Sequence, residues 1–190
     1  MACMIGEVTG VTQLESIVYV VFARSCIIKT YTADELSPLA NVIRVEDMRN
    51  PSDIVACRRD RQLYVADWDY CIWRVSVDDH SHVKWLSSTD SATDTFHVSK
   101  LSLTHHLLMI TPPRSLHQYN RTDGKQMSVI QLPNYVREVY HAVVTERGTF
   151  LVGHRGTSQD KDECAVRNSR IWWRKKAIHI SKYSVFLYLQ

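Results

Sequence analysis

The chain is poor in the residues that most readily make turns. Its 190 residues include 6 glycines and 5 prolines. Any turn-rich fold must therefore also turn on Asp, Asn, Ser and His. No CxxC pair occurs among the five cysteines (Cys3, Cys26, Cys57, Cys71, Cys164), and their number is odd. That argues against a disulfide framework or a paired zinc motif, and for structural thiols in a reducing compartment. The longest apolar run, residues 17–23, is far too short to cross a bilayer. The opening MACMIGEVTG lacks the charged start and long apolar core of a signal peptide. A cytoplasmic location is the favoured expectation. There is no Gly-rich phosphate loop and no HExxH, so no cofactor is expected.

Charge of one sign is also missing over most of the chain. The net charge is +3, but residues 161–190 hold seven Lys/Arg against two Asp/Glu. The remainder holds 16 basic and 18 acidic residues. A near-neutral body offers little to a phosphate backbone, so nucleic acid is an unlikely partner. With 45% hydrophobic and 23% charged residues, the composition is that of an ordinary globular protein able to build a core.

What the chain does have is a repeat. Residues 63–76 read LYVADWDYCIWRVS and residues 18–31 read VYVVFARSCIIKTY. A shift of 45 places Val18 on Leu63, Tyr19 on Tyr64, Val20 on Val65 and Cys26 on Cys71. The cysteines are therefore expected to pack alike in successive copies. LLMITPPRSLHQY at 107–119 fits at a shift of 44, and FLVGH, from Phe150, follows after a further 43. A period in the forties made of short β-runs is the pattern of a propeller blade.

The best copy reads as four strands at 53–57, 63–67, 71–77 and 82–86, separated by the charged hairpin RRDRQ and by turns at 68–70 and 78–81. The second is almost wholly apolar, as expected of a strand buried on both faces. The outer strand mixes polar and apolar residues, and Lys84 there discourages edge-to-edge pairing. Residues 41–45 and 126–132 are outer strands of the first and third copies, the latter after an Asp123-Gly124 turn. The expected fold is all-β, a partial β-propeller of about three to four four-stranded blades. Repeats lie near 8–50, 51–96, 97–139 and 140–157, followed by an atypical basic and aromatic segment, 158–190, with strands at 177–180 and 183–189.

The pieces PSDIVA at 51–56, LYVAD at 63–67 and CIWRV at 71–75 resemble the NHL-type repeat of six-bladed propellers. Through LYVADW they are also similar to the YWTD repeat. The resemblance covers roughly residues 8–157, although Phe22 and Thr111 stand where Asp67 should recur. It implies a protein-interaction module, less often an RNA-binding or enzymatic one. It also implies more blades than this length can hold, hence a fragment of a larger propeller or one that closes by assembly through open blade edges.

Candidate chemistry is sparse. Asp67 is either a ligand at a central channel or a carboxylate capping backbone N–H groups in the turn; the cap is favoured. Asp78-Asp79-His80-Ser81-His82 is read as a solvated turn rather than a metal site. His97, His105, His106, His117, His141 and His154 are read as ordinary histidines, with His141 and His154 near each other across a hairpin and no triad. Asn120-Arg121-Thr122 is a glycosylation triplet on a turn. Trp172-Trp173-Arg174-Lys175-Lys176 is read as cover for the last blade, or as an accidental terminus, rather than a base- or membrane-contacting tail. No catalytic residue and no metal ligand is assigned, and an enzyme is not the favoured reading. The expected function is recognition of a protein partner by loops at one blade end, through Arg24, Trp68, Asp69, Tyr70 and Arg114. The alternatives are a metal-dependent propeller hydrolase or lyase and an RNA-binding propeller.

Overall fold

A computed structural model describes residues 6–68, 71–87, 100–103, 106–111, 115–132, 137–144, 150–155, 179–180 and 183–188. Sixteen strands form four four-stranded antiparallel sheets, with no helix among the described residues. This is an all-β, partial β-propeller. Two compact units divide the chain, residues 1–101 and 102–190.

Unit 1 contains two complete blades. Blade 1 runs β1 (Val8–Leu14), β2 (Ile17–Phe22), β3 (Ile27–Thr32) and β4 (Pro38–Arg44) in that spatial order. Blade 2 runs β5 (Pro51–Cys57), β6 (Gln62–Asp67), β7 (Cys71–Ser76) and β8 (His82–Ser87). Strands β2 and β6 are offset by the 45 residues of the sequence repeat. Both are apolar and buried along nearly their whole length. One core joins the two blades: Tyr19, Val21, Ile28 and Ile43 from blade 1 meet Ile54, Leu63, Val65, Trp73 and Val75 from blade 2. Each such aliphatic side chain removed from water contributes about 1.5–3 kcal/mol.

The repeat is not uniform in length. Val20 pairs with Lys29 in blade 1, whereas its counterpart Val65 pairs with Trp73. The β2–β3 loop thus carries one residue more than the β6–β7 loop. Cys71 opens β7 and is buried, but β3 opens at Ile27, leaving Cys26 half-buried in the loop. The expectation that the two cysteines pack alike is corrected by this insertion. Arg44 Nη1 lies 3.4 Å from the Cys26 sulfur instead. Cys26, Cys57 and Cys71 form no disulfide; Cys3 and Cys164 lie outside the described residues.

The inner strands come very close. A Cβ on Gly10 of β1 would stand 2.7 Å from Ile54 N and 2.9 Å from Asp53 Cα in β5. Only glycine allows that approach. Thr9 donates its hydroxyl to Pro51 O at 2.7 Å, and Thr12 Oγ1 accepts Ala56 N–H at 3.1 Å. Strand β9 (Lys100–Leu103) begins beside them. Lys100 Nζ donates to Thr9 O at 3.2 Å and Ser52 O at 3.3 Å and lies 3.6 Å from the Asp53 carboxylate, whose other oxygen accepts Leu101 N–H at 2.8 Å. One ammonium group therefore bridges β1 and β5.

With few glycines, the tight turns place Glu15, Arg24, Leu36, Arg61 and His80 at φ between 50° and 59°. The side chain of Arg61 compensates. Its guanidinium pairs with Glu15 of the β1–β2 hairpin and, at 2.8 Å, with Asp78 of the β7–β8 turn.

A third sheet is ordered β12-β11-β10-β9, with β10 (Leu107–Thr111), β11 (Ser115–Tyr119) and β12 (Gln126–Gln131). The turn into β12 is closed by Asn120 Oδ1 accepting Thr122 N–H and Asp123 Oδ1 accepting Lys125 N–H. The fourth sheet is ordered β13-β14-β16-β15, from β13 (Arg137–Val144), β14 (Phe150–Arg155), β15 (His179–Ile180) and β16 (Tyr183–Tyr188). The C-terminal segment thus supplies its last two strands, with the later one inserted next to β14. Leu116, Leu132, Ala142, Phe150 and Val152 form the core of unit 2.

Candidate functional site

The loops after β2 and β6 emerge at the same end of blades 1 and 2, and Asn50 in the link before β5 joins them. Its Oδ1 accepts Arg24 N–H at 3.2 Å, and its backbone oxygen accepts Trp68 N–H at 3.1 Å. Asn50 is in turn held by Asp67. One carboxylate oxygen accepts Asn50 N–H and the other Arg49 N–H, both at 2.9 Å, and the latter also accepts the Trp73 indole at 3.2 Å. Asp67 is fully buried. A buried carboxylate is tolerated only when its lone pairs are met in this way. The cap is real and, among the described residues, it closes the interblade link at Arg49 and Asn50.

Above this base, Arg24 is exposed and Trp68 is 54% exposed. Two sequence-expected contact residues are thus brought onto one asparagine. Asp69, Tyr70 and Arg114 lie outside the described residues. Asn50 and Lys100 were not signalled by the sequence: a polar residue before a proline and a lysine in a mixed strand carry no pattern of their own. A weak echo of the Asn50 contact exists in blade 1, where Glu7 O accepts Ala23 N–H at 2.8 Å.

The remaining candidates are placed as follows. Residues 78–81 form a turn in which Asp79 Oδ1 accepts both the N–H and the hydroxyl of Ser81, at 3.1 and 2.8 Å. Hydrogen bonds from Ser76 and Ser81 lower the Asp79 carboxyl to about 2. His82 packs edge-on against Trp73, and Lys84 sits 5.2 Å from the Trp73 ring centroid. His117 stacks on Tyr119 with Ser115 Oγ 3.0 Å from its Nε2, and burial lowers its pKa. Tyr119 OH donates to Gln126 at 3.0 Å, and burial raises it to about 12. His141 pairs with Gly153, and His154 with Val139. His97, His105 and residues 172–176 lie outside the described residues. Among the described residues, no three His, Cys, Asp or Glu gather as metal ligands, and no helix is long and apolar enough to cross a membrane.

No family model matches the chain, and no curated protein matches it. Among solved structures it is similar to Kuenenia stuttgartiensis hydrazine synthase. The TM-score is 0.62 at 16% identity, covering 86% of this chain and 48% of that one. The likeness is one of fold. The chain spans about half the length of the structure it matches.

Proposed function

We propose that the chain is a protein-interaction module built on NHL-like propeller repeats, a piece of a larger propeller. Its partner docks on the loop end of blades 1 and 2. The observation that carries this reading is the joint anchoring of Arg24 and Trp68 by Asn50. Tryptophan and arginine are the side chains that most often dominate protein interfaces. Holding their backbones in place before a partner arrives lowers the ordering cost of binding. Asp69, Tyr70 and Arg114 extend the same surface in this proposal. The motifs at 51–56, 63–67 and 71–75 support the repeat type.

The metal-dependent hydrolase and RNA-binding alternatives gain no support. The Asp67 carboxylate is occupied by three N–H donors. The body of the chain, residues 1–160, holds more acidic than basic residues.

The test is quantitative affinity capture with the wild-type chain, Arg24→Glu and Trp68→Ala, each checked by circular dichroism. The expected result is one protein captured by the wild type and lost, by about tenfold or more, from both folded variants. Equal capture by all three overturns the proposal.

A further inference from the structure

The outer strand of a blade has an open edge, a row of N–H and C=O groups with which a further strand can pair. Two of these edges are blunted. Strand β4 starts at Pro38 and ends at Arg44. Strand β8 carries His82 and Lys84. The outer strand of the fourth sheet, β15, is two residues long. Strand β12 has none of these devices. It reads QMSVIQ, and with Leu132 it makes a run without charge, proline or glycine. Uncharged, proline-free β-runs of this length are the segments that most readily take on another strand. Among the described residues β12 pairs with β11 alone. It is also held in place from that side. Gln126 accepts the Tyr119 hydroxyl at 3.0 Å, and Ser128 donates its own to Gln118 Oε1 at 2.6 Å. The ladder keeps unbroken register from Ser128 to Gln131. Ile130 packs on the Leu116 and Leu132 core, while Met127 is 52% and Val129 41% exposed.

We infer that the open edge of β12 pairs antiparallel with β12 of a second copy of the chain. Strand addition to an edge is carried by main-chain hydrogen bonds. A charge or a proline in the added strand would interrupt that ladder. Among the described outer strands longer than two residues, β12 is the one that brings neither. The edge that fits β12 is therefore β12 itself. Pairing a strand with its own copy about a two-fold axis gives a closed, isologous contact. The axis stands perpendicular to the sheet at Val129, the exposed apolar residue in the unbroken part of the ladder. Val129 then lies opposite Val129 of the second copy, and Met127 opposite Gln131. No charged side chain enters the pairing, and the two sheets continue as one. The contact does not use the loops that carry Arg24 and Trp68, and it stands whether or not those loops bind a partner.

The test is size-exclusion chromatography with light scattering on the full 190-residue chain over a range of concentrations, with circular dichroism in parallel. The variants are Val129→Lys, Val129→Glu and an equimolar mixture of the two. The controls are Val83→Lys on the outer strand β8 and Arg24→Glu at the loop end. The expected result is a wild-type dimer. Its dissociation constant should rise at least about tenfold in each single Val129 variant with the β-signal kept, because like charges directly opposite each other destabilise a strand pair. Mixing the two variants should restore the dimer, since opposite charges then face each other across the axis. Val83→Lys and Arg24→Glu should leave the dimer intact, so failure of the loop reading and failure of this one are told apart. A wild-type monomer at every concentration, a polydisperse aggregate, or a dimer that ignores both Val129 variants overturns the inference. So does a mixture that stays monomeric, or a dimer lost in either control.

Discussion

The indole Nε1 of Trp73 donates to a carboxylate oxygen of Asp67 across 3.2 Å, in the buried seam between blades 1 and 2. The same carboxylate holds the backbone N–H groups of Arg49 and Asn50, so one side chain fixes β7 and the interblade link together. Asp67→Ala leaves three donors without their acceptor. An unmet buried donor costs about 1–3 kcal/mol, so the variant should lose roughly 3 kcal/mol or more. Asp67→Asn keeps one acceptor oxygen but turns an amide against an N–H donor, and should lose less than Ala. Urea denaturation of the three proteins checks the order. Equal midpoints would show that the link does not depend on Asp67.

Gly10 makes a steric prediction. A methyl group there meets the β5 backbone at 2.7 and 2.9 Å, and no side chain can swing away to relieve it. Gly10→Ala must push β1 and β5 apart, at about 1–3 kcal/mol. The loss should appear as a lower melting temperature, and restoration of wild-type stability in the alanine variant would contradict the close approach.

Asp53 separates charge from hydrogen bonding. Asp53→Asn weakens the attraction to Lys100 but can still accept Leu101 N–H, and should cost under about 1 kcal/mol, the range of a partly exposed ion pair. Asp53→Ala removes both interactions and should cost about 1–3 kcal/mol more, because the Leu101 donor is left unmet. The Asn variant should also be the less salt-sensitive of Asn and wild type in denaturation at 0.1 and 1 M salt.

Tyr119 predicts an alkaline limit. Burial raises its phenol to about 12, above the ordinary value of 10.0. Between those values the unfolded chain releases the proton that the folded chain keeps. Stability from this group is therefore fully present below pH 10 and is lost as pH rises toward 12. Tyr119→Phe should be less stable at pH 8, for want of the Gln126 hydrogen bond, yet lose less on going to pH 11. A pH series of urea midpoints checks both signs.

Much of this architecture was legible because a strand buried on both faces leaves a mark no turn chemistry can hide. VYVVF and LYVAD fall at one spacing, and their strands are β2 and β6. The outer strands around 41–45, 82–86 and 126–132 were readable from mixed polarity next to turn residues. The one-residue insertion after β2 was not, since Cys26 and Cys71 align by identity while register is set by hydrogen bonding to β2 and β6. The site was legible only in part. Trp68 and Arg24 stand out as large loop residues, but Asn50 earns its place through contacts 18 and 26 residues away. The Asp67 cap likewise spans 17 and 18 residues backward, which no local spacing announces.

Asn50 reaches a loop of blade 1 with its side chain and a loop of blade 2 with its backbone. Anything that grips both loops is therefore also a clasp across the seam beneath them. Occupancy at the surface and cohesion of the two blades become linked quantities, each raising the other. A ligand for this end should announce itself as heat resistance of unit 1 in proportion to its concentration, before any of its contacts is known.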